Sequence, residues 1–188
     1  MLTNPIILTI FNYNRYIQTK FNFFFIMTIC YPDTMTVKRD IQRRIEDYVN
    51  QYCRALEENF KQYSLRSFER NIIENRFPEN NKYYQERIEE INNGTANLYK
   101  FDYQVGKKYI KVFNLQYQDA NEYYDRKAGY RQGSVTAFVD KNTGEVYKPA
   151  SWKSPAKIVR YNLLIIAERE YLLNPNNCDW SGGHLYLR

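Results

Sequence analysis

Val37, Ile41, Ile45, Val49, Tyr52, Leu56 and Phe60 follow one another at spacings of four with a single three, which is the stripe of an amphipathic helix. Thr36 stands where a helix cap is needed, and Asp40 puts negative charge in the early turns, where the helix dipole favours it. A second helical piece is expected after Ser64, carried by Leu65, Phe68, Ile72 and Ile73 and stopped near Phe77-Pro78. A third runs from about Asn81 to Ile91 and ends at Asn92-Asn93-Gly94, a C-terminal stop signal.

After Gly94 the period shortens to two. Tyr109, Lys111, Phe113 and Leu115 alternate with Lys108, Ile110 and Val112, a strand with a mixed surface. Gln116 to Arg131 is expected to be a long polar connection crowded with Tyr117, Tyr123, Tyr124 and Tyr130. Ser134–Asp140 and Glu145–Lys148 flank Lys141-Asn-Thr-Gly144, which predicts a β-hairpin at about 133–148. Beyond it, Ser154 reads as an N-cap and Pro155 as the first residue of a helix through Ile158, Tyr161, Leu164, Ile165 and Ala167. Asn174-Pro175 limits that helix, and a short extended piece closes the tail. The pattern is α+β: N-terminal amphipathic helices over 35–94, then a basic domain over 95–188 with a small antiparallel sheet and a C-terminal helix packed on it.

Residues 1–34 show no sustained period and one acidic residue, Asp33. The apolar run Phe21 to Tyr31 is too short for a membrane helix, which needs about 20 residues. Cys30-Tyr31-Pro32 lacks the small-residue pattern of a signal-peptide cleavage site. The favoured reading is a natural start at Met27 or Met35, which makes 1–34 a disordered or non-native extension and leaves no role at a membrane.

Charge changes the picture more than overall composition does. The 188 residues carry a net charge of +6. Met35 to Gly94 holds eleven basic and eleven acidic residues, whereas Lys100 to Arg160 holds twelve basic and six acidic, an excess equal to the whole net charge. A local excess of this kind attracts polyanions, nucleic acid foremost. The 19 tyrosines select no function, because AT-rich codons alone raise their number and a phenol serves sheets, interfaces and base stacking alike. Cys30, Cys53 and Cys178 are far apart with a single histidine in the chain, so no zinc site is expected and the thiols read as reduced, as in a cytoplasm.

The residues best placed for binding are Lys148, Trp152, Lys153, Ser154, Lys157 and Arg160, with Tyr147 beside them and Lys107 and Lys108 upstream. If a helix starts at Ser154, its free N–H groups and these cations make a phosphate seat, with Trp152 and Tyr147 available to stack on bases. The competing reading is that Trp152 fills the space between sheet and helix and the lysines are a solvated face. No catalytic residue, metal or cofactor is expected. His184 is alone, Glu145 and Lys148 fall on opposite faces of a strand, Asp140 reads as a turn residue, and no Walker or dinucleotide glycine motif is present.

Gly106-Lys-Lys-Tyr-Ile-Lys-Val112, together with Phe138 to Lys157 (FVDKNTGEVYKPASWKSPAK) and Asp179-Trp-Ser-Gly-Gly-His-Leu-Tyr186, resembles a family of small uncharacterised proteins of tailed bacteriophages, including phages of cyanobacteria. The resemblance covers about residues 105–188 and implies a viral origin without implying an activity. The order of helix, strands and helix is also comparable with double-stranded RNA-binding domains, with Lys153 to Lys157 at the lysine-bearing helix start. There the second-strand connection is too long and the N-terminal helices are extra. The expectation is a non-catalytic phage accessory protein in the host cytoplasm that binds DNA or RNA through Lys107, Lys108, Tyr147, Lys148, Trp152, Lys153, Lys157 and Arg160. The alternative partner is a host or virion protein on a tyrosine-rich surface. A metal-dependent nuclease is the third option, and it would require Asp119, Asp125 or Asp140 to converge in a cleft.

Overall fold

From Thr34 to Phe77 the chain has neither glycine nor proline, so nothing in its backbone chemistry interrupts a helix. The computed structural model describes residues 34–75 and 77–186, which places the expected N-terminal extension, Thr34 apart, outside the described residues. Helix α1 runs unbroken over Thr34–Glu74, so the two helical pieces expected there are one. Ser64, read as the start of the second piece, lies inside it, and its hydroxyl donates to the Phe60 carbonyl one turn back (2.9 Å) instead of capping a new helix. Asn75 ends α1 with a positive φ of 46°, a conformation that asparagine tolerates. After a 3₁₀ turn at Pro78–Asn80 comes helix α2, Asn81–Asn92, which stops where the Asn-Asn-Gly signal predicts.

Gln42–Arg188 is one compact unit, and it holds the sheet. Five strands follow in order, β1 (Lys100–Val105), β2 (Tyr109–Gln118), β3 (Gly129–Asp140), β4 (Glu145–Pro149) and β5 (Pro155–Asn162). They form one antiparallel meander, β1-β2-β3-β4-β5. The architecture is α+β with helix packed on sheet, as the hydrophobic pattern predicts.

Three local expectations are corrected. The connection after β2 is shorter, Asp119–Ala128, because Gln116, Tyr117 and Gln118 pair with Arg131, Tyr130 and Gly129. Tyr117 and Tyr130 meet edge to face across that ladder (5.4 Å), a cross-strand contact hidden in a stretch that reads as polar. The helix expected from Ser154 is instead the strand β5, and helix α3 occupies only Ile166–Leu173. Ser154 does not cap a helix; it closes a tight loop in which Ser151 Oγ accepts from the amides of Lys153 and Ser154 (3.2 and 3.1 Å) and the Ser154 carbonyl accepts from Ala150 and Ser151. Pro155 opens an edge strand, where its missing N–H is tolerated, and Ile158-Val159 suit extended backbone. The tail forms turns and a 3₁₀ helix at Gly183–Leu185, not an extended piece.

The core lies between α1 and one sheet face. Ile45, Val49, Tyr52 and Leu56 are fully buried, and so are Val112, Ala137, Val139 and Val146, with Ile110 nearly so. Partners in an antiparallel ladder share a face, so Ile110, Val139 and Val146 point the same way. Glu57 accepts from the Phe101 amide (2.9 Å) and Glu46 from the Tyr103 hydroxyl (3.3 Å), tying α1 to edge strand β1. Buried Asn59 holds the tail: its amide donates to the Pro175 carbonyl (2.7 Å) and its oxygen accepts from the Trp180 amide (2.9 Å). No described helix is long and apolar enough to cross a membrane.

At the β3–β4 turn Asp140 Oδ1 accepts from the amides of Asn142 and Thr143 (2.9 and 3.3 Å), the turn-shaping role its position predicts. Gly144 closes the turn with φ +73°, and a Cβ there would press on the Leu164 side chain at 3.0 Å. Replacing Gly144 with alanine is therefore expected to destabilise the protein by about 1–2 kcal/mol. Thermal denaturation checks this, and an unchanged melting temperature would contradict it.

Candidate nucleic-acid interface

The face of the sheet opposite α1 carries Tyr109, Lys111, Phe138 and Tyr147. Lys111 pairs with Phe138 and Phe138 with Tyr147, while Tyr109 lies two residues from Lys111 on the same strand. Tyr109 touches both Phe138 and Tyr147 edge to face (6.3 and 5.8 Å). Above these rings a cleft of about 430 Å³ is lined by Lys107, Lys108, Lys111, Trp152 and Lys153, with no carboxylate in its lining.

Each of these groups is placed by local structure. Lys107 and Lys108 form the β1–β2 turn with Gly106, whose amide donates to the Tyr109 carbonyl (2.9 Å). A Cβ on Gly106 would meet that same carbonyl at 2.8 Å, so only glycine closes the turn. The neighbouring β3–β4 turn braces it: Lys141 donates its side chain to the Gly106 carbonyl and its amide to the Lys108 carbonyl (both 3.1 Å). Trp152 and Lys153 sit on the loop built on Ser151 and Ser154. Lys111 Nζ lies 4.9 Å from the Trp152 ring centroid, and Trp152 is 44% exposed, so one ring has a cation beside it and remains open to solvent.

The candidate residues do not all share one surface. Lys107, Lys108, Trp152 and Lys153 meet in the cleft, with Tyr147 on the sheet face below them. Lys148 is the next residue after Tyr147 and takes the other face, where its Nζ lies 3.5 Å from the Tyr186 ring centroid. Arg160 lines a separate pocket of about 480 Å³ with Tyr161, Tyr171, His184 and Tyr186. Lys157 is exposed on β5 and lines neither cavity. The helix-start phosphate seat is corrected: Ser154-Pro155 begins a strand, so no helix N–H groups or dipole serve this site, and the comparison with double-stranded RNA-binding domains loses its helix start. Lys111 and Tyr109 join the cleft although they were not singled out from sequence. Their signal was the alternation that puts them on one strand face, which acquires meaning only once the pairing with Phe138 is known.

Local contacts fix the protonation of groups in and around the cleft. Lys108 is held protonated by its contact with Tyr109 and then by Asp140, whose Oδ2 lies 3.8 Å from its amine. Burial, and then the hydrogen bond that Tyr147 donates to Glu145 (2.7 Å), keep the Tyr147 phenol protonated. His184 is a packing residue with both ring nitrogens engaged: Nδ1 accepts from the Asp179 amide (2.9 Å), so Nε2 bears the proton and meets the Tyr52 hydroxyl (2.6 Å). Burial pushes the Cys53 and Cys178 thiols up to about 12, which leaves neither as a nucleophile at neutral pH. Among the described residues no three His, Cys, Asp or Glu side chains gather as a metal site, and Asp140 is engaged in its turn.

Burial lowers His184 to about 4 from 6.5. A depressed pKa stabilises the fold above the unfolded value and is lost as pH falls through the folded one. Between about pH 6.5 and 4 wild-type unfolding should therefore take up about one proton more than unfolding of a His184→Gln variant. The pH dependence of the unfolding free energy measures this; parallel curves for the two proteins would contradict it.

Comparison with known proteins adds a family and no activity. No curated protein and no solved structure matches the chain. The profile of a family of unknown function, DUF7717, matches residues 29–187, the whole of the sheet, α2 and α3 and all the described tail, and the chain belongs to that family.

Proposed function

We propose that this protein is a non-catalytic nucleic-acid-binding protein that holds single-stranded DNA or RNA on the open face of its sheet. The observation that carries the reading is the cleft in which Lys107, Lys108, Lys111 and Lys153 surround an exposed Trp152 without a carboxylate in the lining. Four ammonium groups at the edge of an aromatic sheet give a strand phosphate contacts along its backbone and a ring on which to stack a base. The open face is formed by strands and loops, with no helix to enter a duplex groove, which favours single strands over duplex. The resemblance of residues 105–188 to tailed-phage proteins supports an accessory role in an infected host's cytoplasm.

A second reading has one observation in its favour. Tyr123 and Tyr124 are 88% and 71% exposed on the β2–β3 connection, as an aromatic anchor for a host or phage protein would be.

Fluorescence anisotropy with labelled single- and double-stranded DNA and RNA over a salt series separates the two. Wild-type protein is expected to bind single strands with strong salt dependence. Lys107→Glu/Lys153→Glu should abolish that binding, and Trp152→Ala should weaken it by about tenfold or more, the value of one base stack. Lys148→Glu, on the opposite face, should change it little. Absence of binding at low salt, or equal losses from Lys148→Glu and the cleft variants, would refute the assignment.

A further inference from the structure

Three of the cations singled out from sequence, Lys148, Lys157 and Arg160, are left unused by the cleft, and one of them, Arg160, lines a different cavity. Arg160 and Tyr161 reach the pocket from β5, Tyr171 from α3, and Asn177, Asp179 and Tyr186 from the tail. Lys148 Nζ lies 3.5 Å from the centroid of the Tyr186 ring, one of the pocket's walls. At about 480 Å³ the pocket has the size of a small-molecule site.

Arg160 is the anomaly. Its Nε and Nη1 are shut off from solvent and have no hydrogen-bond acceptor, and no carboxylate among the described residues lies within ion-pairing distance. Asp179, in the same pocket, spends Oδ1 on the Ser181 amide and hydroxyl (both 2.8 Å), keeps Oδ2 for a ligand, and makes no ion pair with Arg160. A guanidinium partly withdrawn from water without a counter-charge burdens the fold, and an anion that met the unpaired N–H groups after a small rotation of the side chain would relieve it. The other walls select what accompanies that anion. Tyr161 and Tyr171 are stacked on each other (5.5 Å), and with Tyr186 they form an aromatic wall suited to a flat ring. The Asn177 amide and the Asp179 carboxylate offer donors and acceptors to ring edges and hydroxyls.

We infer that this pocket is a second binding site, separate from the cleft, which takes a nucleoside monophosphate: its phosphate on Arg160 and Lys148, its base on the tyrosine wall. The site lies on the other side of the sheet from Trp152 and does not depend on the cleft's function.

Isothermal titration calorimetry of the full chain with the four common ribonucleoside 5′-monophosphates, with adenosine and with inorganic phosphate tests it. At least one monophosphate is expected to bind, with adenosine and inorganic phosphate each about tenfold weaker or more, since both halves of the ligand contribute. Arg160→Met should lower monophosphate affinity by about tenfold or more, the worth of a charged hydrogen bond, while its melting temperature stays equal or rises because an unpaired charge is removed. Lys107→Glu/Lys153→Glu should bind the monophosphate as wild type does. The inference is overturned if none of the four binds, if inorganic phosphate binds as tightly as the nucleotides, if Arg160→Met binds unchanged, or if that variant melts lower, which would give the guanidinium a structural partner.

Discussion

The packing of one helix stripe, Ile45, Val49, Tyr52 and Leu56, against the apolar face of a five-stranded meander is the interaction on which the rest of this structure depends. These side chains and the Val112, Ala137, Val139 and Val146 face they cover are withdrawn from water together, and hydrophobic burial on that scale is the main term favouring the fold. The constraint is that α1 covers one face. The opposite face has to be compatible with water, and it is built from phenols and lysine stems around Phe138, with Trp152 arching over from the β4–β5 loop. A surface of amphipathic rings and ammonium groups follows from the need to solvate an uncovered sheet, and the same composition suits a polyanion with flat bases.

The helix also organises the end of the chain. Asn59 uses both its amide and its oxygen on the tail, Trp180 packs on Phe60 (5.0 Å) and Tyr99 (5.9 Å), and Tyr52 meets His184. Those three attachments to one helix, together with the hydrogen bond that Tyr161 of β5 donates to the His184 carbonyl (3.1 Å), hold residues 174–186 beside β5. Their placement there creates the pocket around Arg160. Both cavities are thus consequences of where α1 sits: one is on the face it leaves open, the other is walled by the tail it retains.

Helix and hairpin were legible in the sequence where a single local signal sufficed. The four-residue spacing identified α1, Asn92-Asn93-Gly94 marked the end of α2, and Asp140 with Gly144 specified the β3–β4 turn. Ser154-Pro155 misled because a serine before a proline is the same two residues at a helix start and at the opening of an edge strand. The difference lies in Ser151, whose hydroxyl closes the preceding loop. The continuity of α1 through Ser64 was hidden for the related reason that a hydroxyl can cap a new helix or bond back within an old one. The basic segment was visible as charge, yet its division between two sides of the sheet was not. Tyr147 and Lys148 are adjacent in sequence and opposite in space, and only strand register tells which cations share a surface. Lys111, central to the cleft, could be recognised only through its partner Phe138 on β3.

The central claim is that the open face of the sheet, with Trp152 at its edge, is where a nucleic acid binds. The chain has two tryptophans, and Trp180 lies in the aromatic cluster on α1, so a Trp180→Phe variant leaves Trp152 as the only indole reporter. Titrating that variant with an unlabelled single-stranded oligonucleotide while following tryptophan emission tests the claim directly. Stacking predicts quenching that saturates with binding and is reversed by salt. Binding that leaves Trp152 emission unchanged would place the nucleic acid elsewhere and contradict the account.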